Sequence, residues 1–162
     1  MESGAKITSA FIGSIVTPVF SFLYGDGVVT LYIMLALALF ICLDWIAGIR
    51  ASRKDETYGS HYGIDGVFRT FFMIMLPVGG NFVDMIFGLP PVFFGLLAGG
   101  LIIHTIQSMT ANAIRAGWGT WIPEWALNKM IEWVKSELES KVQRSIARKQ
   151  EIIQSKKDES DS

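Results

Sequence analysis

Charge is scarce where a chain needs it to stay in water. Lys, Arg, Asp and Glu make up 18% of the 162 residues, against about 25% in soluble domains. The tail holds more than half of them. Eight of 14 Lys/Arg and eight of 15 Asp/Glu fall in residues 124–162, so the first 123 residues are nearly stripped of charge. The net charge of −1 offers no field for a polyanion, and no nucleic-acid partner is expected. Cysteine is almost missing. Cys42 alone excludes an intrachain disulfide and a cysteine-based metal site. The two histidines, His61 and His104, stand far apart in the chain and form no ligand pattern. No nucleophile–base pair, phosphate-binding glycine loop or metal cluster occurs, so neither an enzyme nor a cofactor is expected. A cleavable signal peptide is not expected either. The apolar run after Lys6 ends in Phe22-Leu23-Tyr24-Gly25 with no small-residue cleavage site. No internal repeat is visible.

What the chain has instead is long apolar runs. Val28 to Leu43 carries no charge, and the run resumes after Asp44 until Arg50. A bilayer core of about 30 Å needs about 20 helical residues, and residues 28–50 suffice. Residues 64–88 and 92–115 are the next two spans. Residues 7–24 are apolar with a hydroxyl stripe at Ser14, Thr17 and Ser21, whose 3-4 spacing puts them on one helix face. That helix either spans or lies along the interface. The predicted class is an all-α integral membrane protein with three to four transmembrane helices and an amphipathic carboxyl-terminal helix. Its parts are an amino-terminal apolar helix over 1–27, a membrane domain over 28–117, an interfacial or cytoplasmic helix over 118–155, and a disordered tail over 156–162. Arg50, Arg53, Lys54, Arg115 and all later basic residues fall on one side of these spans, while the connections Gly25–Gly27 and Gly88–Pro91 contain none. The basic side faces the cytoplasm by the positive-inside rule, which places the carboxyl terminus there.

Polar residues inside apolar helices are costly and need partners. Asp44 and Arg69 lie at similar distances from the centre of the loop near Glu56-Thr57, so an antiparallel hairpin brings them to one depth. They form either a latch that sets assembly or a static staple; alternatively Arg69 snorkels to lipid phosphate. Asp84 sits near the outer end of its helix, within reach of water. His104, Ser108 and Asn112 share one face, with Thr105 beside them. This stripe faces a bundle interior, a subunit contact or an aqueous path, as does the Ser14 stripe. For His104 a hydrogen-bonding role is favoured over a ligand role. Gly79-Gly80, after Pro77, predict a kink or close packing. Gly95, Gly99 and Gly100 permit close helix approach. Trp118, Trp121, Trp125 and Trp133 form a belt suited to the membrane–water interface. Leu127, Ile131, Val134, Leu138, Val142 and Ile146 then recur at helical spacing, a stripe for a neighbouring helix, self-association or lipid.

The order of motifs resembles the toxin-secretion and phage-lysis holins of Gram-positive bacteria and their phages. The resemblance covers residues 28–140 and rests on Leu43, Asp44 and Gly48 of LDWIAGI, Gly63 and Gly66 of YGIDGVFR, Asp84, and Ile122-Pro123 before the tail helix. Asp65 stands where that family carries a basic residue, and Thr105 and Ala111 where it carries acids. The resemblance implies a homo-oligomer in the host cytoplasmic membrane. It implies opening of lesions that collapse the proton-motive force and release an endolysin or a toxin. A small ion channel or transporter subunit and a non-conducting anchor or antiholin are the alternatives.

Overall fold

The computed structural model describes residues 2–160, with the side chains of 2–12, 60–62, 156 and 158–160 outside that description. Readings that rest on the side chains of Lys6 or His61 lie outside it. Within the described residues the chain is helical: α1 Glu2–Tyr24, α2 Val28–Lys54, α3 Ser60–Ile86, α4 Val92–Ala116, a short 3-10 turn Gly119–Trp121, and α5 Glu124–Ser160. Three stretches are long and apolar enough to cross a membrane: Val28–Lys54, Gly63–Ile86 and Val92–Ala116. Gly13–Tyr24 is apolar but shorter.

The outer surface of the bundle suits lipid. Val29, Tyr32, Leu35 and Leu39 on α2 and Phe68, Phe71 and Phe72 on α3 are all exposed. In water such a surface is strongly unfavourable; in hydrocarbon it costs nothing. The interior is built around α4, which packs most extensively on α2, then on α3, then on α5. Phe94, Ala98 and Ile106 of α4 and Leu37 of α2 are completely buried. Small residues let the backbones close in. A Cβ at Gly80 would lie 2.8 Å from the backbone of Phe93 and Phe94, so α3 touches α4 there main chain to main chain. Pro77 is buried one turn earlier and α3 continues through it. Gly79, Gly95 and Gly100 meet nothing within 4 Å and make no such approach within the subunit.

Two poles result. At one, Lys54 Nζ donates to the Arg115 carbonyl at 3.1 Å and the Arg115 guanidinium pairs with Asp55 at 2.7 Å. The carboxyl ends of α2 and α4 therefore lie side by side. At the other, Asn81 Nδ2 donates to the carbonyls of Phe22 and Leu23, the unsatisfied end of α1. Gly25 makes the turn from α1 to α2 at φ +89°, and a side chain there would run into Asn81.

α5 runs Glu124–Ser160, with no Gly or Pro in residues 124–162 to interrupt it. It lies against the bundle. Ile131 packs with Ile103 and Ile106, flanked by Leu127, Val134 and Leu138. Farther along, Lys141, Arg144 and Arg148 border Pro90–Val92, and Lys149 Nζ lies 5.9 Å from the ring centre of Phe87. α5 thus runs antiparallel along α4 from one pole to the other, with Ile131 of its apolar stripe buried, Leu127, Val134, Leu138 and Val142 half-buried and Ile146 exposed.

Candidate functional site

Asp44 is the polar centre of the bundle. Helical rise puts it about 15 Å inside the end of α2 at Lys54, and it is 4% exposed. Three donors converge on it. Arg69 Nη2 reaches Oδ2 at 3.0 Å; Ser108 Oγ and Asn112 Nδ2 reach Oδ1 at 2.9 Å each. Ser108 and Asn112 are one helical turn apart on α4, so both face the same acceptor. Arg115, a turn further, donates to Asn112 Oδ1 at 3.1 Å, which fixes the amide with its nitrogen toward Asp44. The chain of contacts Arg69–Asp44–Asn112–Arg115–Asp55 ties three helices and a loop together. Beside it, Trp45 Nε1 donates to Thr70 Oγ1 at 2.8 Å, and the Trp45 ring lies where a Gly66 side chain would start, 3.0 Å from an ideal Cβ. Consecutive residues of α2 thus reach across to α3. Arg69 remains 47% exposed along its side chain, so its charge is only partly withdrawn from the surroundings.

Asp84 is not at the water's edge. It is 2% exposed, and its two oxygens accept from the Phe93 and Phe94 amides at 3.0 and 2.9 Å. Pro91 precedes α4 and has no side-chain oxygen to cap it; the acid from α3 takes that part. The signal was present in the sequence: a helix start marked by two prolines, with an acid one short loop upstream. Among the described residues, no buried side-chain nitrogen or oxygen lacks a partner.

The remaining candidates are dispersed. Ser108 and Asn112 belong to the Asp44 cluster, and the buried Thr105 returns its hydroxyl to the Leu101 carbonyl at 2.6 Å. His104 and Gln107 are exposed. Ser14 and Thr17 are exposed on α1 and Ser21 is half-buried, so this stripe does not join the cluster. Trp118 and Trp121 stack at 6.2 Å near the Lys54–Arg115 pole. Trp125 and Trp133 are exposed on α5, Trp133 two turns farther from that pole. Gly80 and Gly99 make close approaches at contacts that involve α4; at Gly99 an added Cβ would lie 2.8 Å from a Leu138 methyl.

The family model of the bacteriophage holins matches residues 19–136. The chain belongs to the bacteriophage holin family. The matched stretch takes in the end of α1, all three span-length helices and the first third of α5, so Asp44, Arg69, Asp84, Ser108 and Asn112 all lie within the holin region. Comparison with curated proteins gave no match, and comparison with solved structures gave none. For a holin the arrangement has a plain consequence. The acids that would be most expensive in hydrocarbon are neutralised or hydrogen-bonded inside one subunit. The α5 segment beside α4 is different: it carries eight charged residues from Ile131 to Lys149. Each would cost about 2.5–3.5 kcal/mol at the centre of a lipid-facing helix.

Proposed function

We propose that this chain is a lesion-forming holin: it accumulates in the bacterial cytoplasmic membrane, associates with copies of itself, and opens paths that dissipate the proton-motive force and release an endolysin or a toxin. The observation that carries the reading is the coincidence of the holin-family stretch, residues 19–136, with three helices of span length. The pole bearing Lys54 and Arg115 faces the cytoplasm, since Arg50, Arg53, Lys54 and Arg115 cluster at that end of the spans while the connection Gly88–Pro91 contains no basic residue, and α5 begins there. The Asp44 cluster fixes how α2, α3 and α4 fit together, so that every copy presents the same surface to the next. Arg69, half exposed, is the member of the cluster able to reach a neighbouring copy.

Inducible expression in bacteria tests this. Abrupt loss of membrane potential, followed by lysis only when an endolysin is co-expressed, is the expected result. Ion flux without endolysin release would make the protein a narrow channel. Unchanged permeability would make it an anchor or antiholin.

A further inference from the structure

The position of α5 and its composition make conflicting demands on solvent. Gly99 lies seven residues into α4, about 10 Å from its first residue, and Leu138 is seated against it. If α4 crosses the bilayer, this part of α5 is at hydrocarbon depth. Yet Lys135, Glu139 and Gln143 on the same turns are exposed, and they border a groove with Leu96 and Gly100 of α4. His104 follows Gly100 by one turn on that face and is exposed, as is Gln107. Two helices therefore place polar groups on one side of a hairpin whose seam is apolar. Lipid does not accept such a side, whereas water does.

We infer that the α4–α5 hairpin is the water-facing wall of the lesion. α5 turns Lys135, Glu139 and Gln143 toward an aqueous path enclosed by several copies. His104 and Gln107 border the path from α4, and the apolar faces of α2 and α3 meet the lipid. At Gly99 the Leu138 side chain seats directly on the α4 backbone, 2.8 Å from where a Cβ would stand, and marks the seam between the two helices. Docked in this way, α5 carries the end of the chain from the basic pole toward the Pro90–Pro91 pole. This inference rests on the holin reading above.

The test uses the full chain with Cys42→Ala as background, reconstituted in dye-loaded vesicles of bacterial phospholipid. Gly99→Cys combined with Leu138→Cys should form a disulfide under mild oxidation in the vesicles, and the oxidised protein should still release dye. In separate variants, Glu139→Cys should react with a membrane-impermeant thiol reagent while the protein leaks, and Phe71→Cys on the lipid side should not; an unreactive Glu139→Cys in leaking vesicles overturns the inference. If the background protein leaks but the cross-link does not form in vesicles, α5 is not docked and the inference fails while the holin reading stands. It fails in the same way if cross-linking abolishes leakage, since the docked form would then be closed. If the background protein neither leaks nor lyses cells with endolysin, both fall.

Discussion

Removing the Asp44 carboxylate should be the most damaging single change in the membrane domain, and removing its counter-charge at the same time should restore part of the loss. In Asp44→Ala, Ser108 Oγ and Asn112 Nδ2 lose their acceptor and Arg69 loses its counter-ion. Breaking a buried ion pair from one side costs about 3–5 kcal/mol. Arg69 is 47% exposed, so its share must be discounted, because its head retains access to polar surroundings. Interhelical hydrogen bonds within membranes average only about 0.6 kcal/mol and reach about 1.7. The expected loss for Asp44→Ala is therefore about 3 kcal/mol. Arg69→Met breaks the pair from the other side. It leaves a carboxylate that is 4% exposed without a positive charge, supported by two neutral donors. Adding Asp44→Asn to Arg69→Met removes that charge while its amide oxygen still accepts from Ser108 and Asn112. The double variant should thus be more stable than Arg69→Met alone. Unfolding by dodecyl sulfate titration from mild detergent, followed by helical circular dichroism, measures all three. A double variant no more stable than Arg69→Met would show that the charge of Asp44 does not depend on Arg69 and would refute the argument.

Other substitutions separate close approach from mere glycine content. Gly80→Ala should cost about 1–3 kcal/mol by overpacking against the Phe93 backbone, while Gly79→Ala, which meets nothing, should be neutral or stabilising by up to about 1 kcal/mol; the same titration reads both. Asp84→Ala should lose about 0.5–2 kcal/mol as an α4 cap, and hydrogen exchange should rise first at Phe93 and Phe94. Trp45→Phe drops the bond to Thr70, about 0.5–1.5 kcal/mol, and withdraws the outer indole ring from Gly66, visible as a lower unfolding midpoint. Asp55→Ala, which breaks an exposed pair with Arg115, should cost no more than about 1 kcal/mol, and its effect should shrink in high salt.

The helices that cross the bilayer are legible in the sequence because lipid imposes a length and forbids free charge, and both are countable along the chain. The pairing of Asp44 with Arg69 can be read as well, since a short loop fixes which depths of α2 and α3 coincide. The donors from α4 cannot. Ser108 and Asn112 are 64 and 68 positions from Asp44, and no local pattern states the rotation of α4 against α2. Their stripe suits a water path as well as an internal acceptor. Asp84 defeats a local reading for a related reason. Near a helix end, an acid that reaches water and one that caps the next helix have the same sequence neighbours unless the following helix is asked what caps it. Pro91 answers that question, because it brings no acceptor of its own.

The internal satisfaction of the acids bears on how copies can associate. Both oxygens of Asp44 are engaged inside the subunit, and both oxygens of Asp84 are bound to α4 amides. Neither acid has a strong reason to seek a partner in another chain, since breaking a made bond to form an equal one gains little. What a second copy can offer is contact with polar groups exposed on the lipid side of the single chain. On the spans these include the half-exposed Arg69 and the exposed Asp65 beside it. Apolar surface gives no comparable drive, because lipid tails cover Phe68 or Leu39 as well as another helix does. Association through polar groups would then strengthen as the membrane fills with copies and weaken when those groups are removed. The Asp65→Ala variant should therefore form fewer cross-linked oligomers at equal expression, with Asp44 left untouched, and an unchanged oligomer ladder would send the search for the contact to α1.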